Sequence, residues 1–195
     1  MQGCVSLMYA GKMDCYSGKD CARSFRTVRK NTIQVANDIP VEQWGFRPTP
    51  ESMSVHELLA HLAAATTWQL KAHRDDRKTT ISFDEFRVYI EAATAFGQAL
   101  DSRERVLQAL ETEGEAFASY LESMTSERMA EHVSLPAPID PPSKSRFEML
   151  LGVKEHEMHH RAQLMVYQRL VGVVPHLTLS RQAAFAARAA ETSKQ

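Results

Sequence analysis

Strict alternation of β-branched apolar and polar residues is scarce along this chain, while Ala, Leu, Glu, Gln and Arg dominate long stretches. That pattern predicts helices and little sheet. The first helix is read from about Lys19 to Asn37 and is ended by Pro40. A turn-rich connection, VEQWGFRPTPES, leads to a second helix from Ser54 to about Asp75. Ser54 and Glu57 have the S-x-x-E spacing of a capping box, in which each residue satisfies an amide of the other. A short helix is predicted over Asp84–Thr94, and a long third helix from about Gly97 to Ser123. The connector SLPAPIDPPSKS is too rich in proline to be helical. The fourth helix opens on a second S-x-x-E pair, Ser145 and Glu148, and runs to about Val171, where Gly172 and Pro175 close it. The predicted architecture is therefore all-α, a four-helix bundle.

Helical phase then sorts the histidines. At about 100° per residue, with His156 set at zero, Met149 and Tyr167 fall near 20° and His160 near 40°. Gln163 falls at about −20°, so all five share one stripe. His159 falls at about −60°, on the edge, and Glu157 at about 100°, away from the centre of the stripe. In the second helix Leu58, Leu62, Ala65 and Gln69 define the inward direction, and His61 lies about 50° from it. His56 is assigned to solvent. His61, His156 and His160 can therefore meet inside the bundle. Three imidazole ligands leave a metal with an open coordination position, the arrangement of a catalytic site. Neutral imidazole suits zinc, nickel, iron or copper, so the donors alone do not choose the metal.

Two other metal chemistries fit poorly. His156-Glu157-x-x-His160 matches the short H-E-x-x-H signature of zinc proteases, but no Gly-x-x-His tail follows; Gln163 and Leu164 stand near there instead. A carboxylate-bridged di-iron bundle needs E-x-x-H on two helices. Glu157 and His160 supply one, but Glu57 is followed three residues later by Ala60.

Composition narrows the setting. With 195 residues, a formal net charge of −1 and 24% charged residues, the chain fits one globular domain and offers no electrostatic case for nucleic acid or anionic membrane. Three cysteines, Cys4, Cys15 and Cys21, crowd one end, which is no disulfide framework and fits a cytoplasmic location. The stretch CVSLMYA is too short to span a membrane. Residues 1–12 differ in character from the rest of the chain, with Met13 an alternative start. The expected division is a poorly ordered extension over 1–16, the bundle over 17–178, and a short helix or tail over 179–195.

Two segments also resemble a known family. FRPTPESMSVHELLAHLAAATTW is similar to the start of the second helix in the DinB-like family (the DinB/YfiT superfamily), where a Pro turn leads to a Ser and then an LL-x-H-L/I-A segment. HEMHHRAQL resembles that family's H-x-x-x-H-R-x-Q-L/I signature in the last core helix, and SFRTVRKNTIQVANDIP fits its first helix. The resemblance spans residues 17 to 178. It implies a four-helix bundle of DinB type and a divalent metal, zinc or nickel ahead of iron or manganese, held by His61, His156 and His160. It also implies homodimers, a small-molecule substrate and, for members of known activity, a low-molecular-weight thiol as co-substrate. A metal-dependent thiol S-transferase is the function so implied, with a metal-dependent hydrolase and a non-catalytic metal-binding or stress-response bundle as alternatives. Gln163 and Tyr167 are the expected pocket residues. Arg161 matches the motif but points off the stripe, so a structural ion pair is expected of it.

Overall fold

The computed structural model describes residues 16–192. The expectations for CVSLMYA, Met13, Cys4 and Cys15 lie outside the described residues, as does the end of the C-terminal tail. Helix α1 (Gly18–Asp38) opens on a reciprocal cap between Ser17 and Asp20. It buries Cys21, Phe25, Val28, Thr32 and Val35, alternately four and three residues apart, as an inward helical stripe requires. Helix α2 (Val55–Leu70) begins at the Ser54–Glu57 box and continues into a π turn, Lys71–Asp75, that buries Ala72 and His73. Helices α3 (Phe83–Gln98), α4 (Arg103–Glu122) and α5 (Ser126–Ala130) follow. A two-stranded antiparallel hairpin comes next, β1 (His132–Ser134) and β2 (Ser143–Ser145), with Val133 opposite Lys144. Helix α6 (Arg146–Leu170) and helix α7 (His176–Thr192) complete the order.

The bundle consists of α1, α2, α4 and α6. α1 packs on α4 and α6, and α2 packs on α4, α6 and the outlying α3. Its apolar interior forms two clusters. One contains Leu58, Leu62, Leu110 and Leu164, the other Phe25, Phe117, Leu121 and Leu150. Each such side chain fully withdrawn from water contributes on the order of 2 kcal/mol. No helix among the described residues is long and apolar enough to cross a membrane.

Three expectations need correction. The predicted short helix continues to Gln98, and the next starts only at Arg103, capped by Ser102. Gly97 lies inside α3 because α3 crosses α2 there: a Cβ would stand 3.4 Å from both Ala60 O and Ala64 Cβ. The proline-rich connector is non-helical as expected, and is the loop of a hairpin whose strand β1 buries Val133. At the start of α6 the capping box is only half made. Ser145 accepts from the Glu148 amide at 3.1 Å, while the Glu148 carboxylate reaches Lys144 at 3.8 Å. Finally, α7 is a 17-residue helix that buries none of its residues, rather than a short segment.

Candidate metal centre

The i, i+4 spacing on α6 stacks His156 and His160 on one face, and α2 presents His61 opposite them. The Nε2 atom of His156 lies 3.0 Å from Nε2 of His61 and 3.0 Å from Nε2 of His160. One ring nitrogen from each residue falls within 4.8 Å of the other two. The His160 ring stands nearly perpendicular to the other two, at 89° to His61 and 85° to His156. Two nitrogens each bonded to a tetrahedral zinc would be about 3.3 Å apart. The donor set and its spacing therefore fit a single divalent ion.

The outer contacts prepare these nitrogens. His160 donates from Nδ1 to Gln163 Oε1 at 2.8 Å, which selects the tautomer whose Nε2 carries a bare lone pair. Gln163 in turn donates from Nε2 to His159 at 3.3 Å, so His159 touches the group only through Gln163 and by ring contact with His160. Burial, reinforced by His160, holds the His61 imidazole below its usual range. Burial, then the neighbouring His160, His61 and His159, push His156 down to about 4. Both are neutral at neutral pH, as ligands must be.

A buried ion pair fixes the two helices behind the histidines. Glu157 is 2% exposed and is not among the groups that converge with the three imidazoles, where the protease reading requires it. Its carboxylate accepts from Arg29 Nε at 3.0 Å and pairs with the Arg29 Nη2 at 2.9 Å. Arg29 also donates to the carbonyl of Leu110 at 2.8 Å and of Leu62 at 3.2 Å. One guanidinium thus joins α1, α2, α4 and α6, and two of its partners, Leu62 and Glu157, are next in sequence to His61 and His156. Gly114 leaves it room, since a Cβ there would lie 3.0 Å from Arg29 Cγ. Along α1 and α6 the pair falls between the two apolar clusters.

Other expected residues are placed differently. His56 is not turned to solvent. Its ring is half-buried, makes a 2.6 Å hydrogen bond to the Leu100 carbonyl and packs edge-on against Trp44. Arg161 forms no side-chain ion pair among the described residues; it donates to the Val28 carbonyl at 3.2 Å. Tyr167 is buried in the core against Phe46 and donates to the Met53 carbonyl at 3.3 Å. Neither Tyr167 nor Gln163 lines the large cleft, of about 900 Å³, that opens between α2, α3 and α6. His61 and His156 form part of its wall. Arg29 escaped the sequence reading although its position, between Phe25 and Thr32 on the inward stripe, marks it as a buried cation.

Comparison with known proteins gives the same architecture. The B. subtilis (strain 168) protein YjoA is 26% identical over 151 residues, covering 76% of this chain and 86% of the relative. The crystal structure of YjoA, a DinB-like protein, superposes with a TM-score of 0.56 at 20% identity, covering 78% of this chain and 91% of that one. A DinB family structure from Exiguobacterium sibiricum 255-15 does so with a TM-score of 0.57 at 22% identity, covering 80% and 91%. These two structures share the fold. The model of the DinB superfamily matches residues 24–164, and with most of its length so matched the chain belongs to that superfamily.

Proposed function

We propose that the chain is a metal-dependent enzyme acting on a small molecule, with transfer of a low-molecular-weight thiol as its reaction class. The observation that carries the metal reading is the convergence of three imidazole nitrogens within 4.8 Å. The thiol reading rests on the family resemblance. His61, His156 and His160 would hold the ion, which supplies Lewis acidity to a thiol or a water at its open position. Gln163 orients His160, and the 900 Å³ cleft beside the group admits a substrate.

Protein purified without an affinity tag should carry about one divalent ion per chain by elemental analysis. His160→Ala should bring this close to zero. A wild-type content near zero would leave a non-catalytic bundle as the better reading. A panel of thiols with a chloro-dinitroaromatic electrophile then tests transfer, and no thiol giving a rate above the metal-stripped control would reject it. Gln163→Leu removes the acceptor that orients His160 while leaving all three donors. Competition with a chromogenic chelator should show the ion held about 10- to 100-fold more weakly.

A further inference from the structure

The large cleft has a buried polar group that no described neighbour satisfies. Gln69 is 6% exposed, lines the cleft, and its Oε1 has no hydrogen-bond partner among the described residues. A carboxamide left so inside a protein costs stability, and such groups are rare in folded chains unless something else fills the role. The side chain belongs to α2, eight residues beyond His61, or about 12 Å along the helix axis. Between the two the wall is kept open by the small Ala64 and Ala65, and Trp68, Met149 and Val153 make it apolar. Among the described residues no lysine or arginine lines the cleft, and its two carboxylates, Glu57 and Asp101, pair with Arg47 and Arg105. The lining therefore offers no counter-charge to an anionic tail.

We infer that this cleft binds an elongated, uncharged and mostly apolar molecule, with one end at the three histidines and a hydroxyl or amide held by Gln69 at the other. The placement of the first end rests on the metal reading above; the role of Gln69 does not. The carboxamide can turn its oxygen or its nitrogen to the ligand, so a hydroxyl, which both donates and accepts, satisfies it either way.

Straight-chain alkyl hydroxamates of increasing length, titrated calorimetrically into zinc-loaded protein, test the apolar wall. Affinity should rise about fourfold for each added methylene. A terminal hydroxyl on a chain long enough to reach Gln69 should be favoured over its plain alkyl twin. That preference should fall about fivefold in Gln69→Leu. The same comparison without a metal-seeking group, octane-1,8-diol against 1-octanol followed by tryptophan fluorescence on metal-free protein, isolates the cleft from the ion. If hydroxamates bind no better than these alcohols while the diol preference still depends on Gln69, the metal reading fails and the Gln69 inference stands. Affinity independent of chain length, or a diol preference unchanged in Gln69→Leu, overturns it. Thermal unfolding gives a separate readout. Gln69→Leu should raise the melting temperature of ligand-free protein, because it deletes an unsatisfied buried group; a lowered one with unchanged binding would show a packing role instead.

Discussion

Glu157→Gln is expected to destabilise the protein by about 3–5 kcal/mol, the cost of leaving a buried guanidinium without its counter-charge. For a chain of this length that is on the order of 10 °C in melting temperature. The substitution keeps the volume and one acceptor oxygen, so the loss reports the charge and not a cavity. Arg29 cannot escape to water: its side chain is 5% exposed and two of its nitrogens are already committed to the Leu62 and Leu110 carbonyls. Replacing both partners, Arg29→Met with Glu157→Leu, should recover much of the loss, since an apolar pair of similar volume avoids the desolvation cost. Urea unfolding followed by circular dichroism measures both. A single-variant loss below about 1 kcal/mol would mean that the pair behaves as a solvated surface bridge. The same variant separates the two roles open to this glutamate in an H-E-x-x-H string. As a base beside a metal it would govern chemistry and leave stability alone; as observed, its carboxylate is spent on α1.

Metal-free protein should lose stability steeply as the pH falls from about 6.5 to about 4. The group responsible is His73, buried in the π turn at 1% exposure. Burial first, then the charges of Arg146 and Arg128, push its pKa down to about 4, with Glu131 opposing them. Arg146 donates to its Nδ1 at 2.7 Å, so the folded chain holds the neutral ring. The unfolded chain protonates this histidine near 6.5, well before the folded chain does. The stabilisation is fully present above about 6.5, is withdrawn through the interval, and is gone below about 4. The gap corresponds to about 3 kcal/mol. His156, also pushed down to about 4, adds in the same direction while no ion holds it. Urea midpoints between pH 7.5 and 4 should show this slope, and His73→Gln should flatten it by about one proton whatever its effect at neutral pH. Equal slopes in variant and wild type would assign the acid sensitivity elsewhere.

Much of the fold is legible in the sequence because its signals are local. Ser54 with Glu57 marks the start of α2, and Gly172, with φ of +84°, marks the end of α6. The three histidines are legible because two share a turn and all three share apolar stripes, so the helix period alone orients them. What escapes is set by partners far away in the chain. Arg29 and Glu157 are 128 residues apart, and nothing near Glu157 signals that a cation awaits it. His56 is drawn from its expected exposure by the Leu100 carbonyl, 44 residues on. The break between α3 and α4 is masked because Gly97 reads as a boundary, while its actual role is to let α3 approach α2.

The four-helix ion pair carries a consequence for metallation. Arg29 and Glu157 tie α2 to α6 through protein groups alone. In small zinc domains the ion is part of the folding free energy and chelation unravels the chain. Here Arg29 and Glu157 tie the ligand-bearing helices together by themselves, so loading and release of an ion at the proposed site would be exchange reactions on a standing scaffold. Stability then gains from the ion only by mass action. On the metal reading, occupancy of such a site would follow the supply of divalent ions more than the history of the chain's folding.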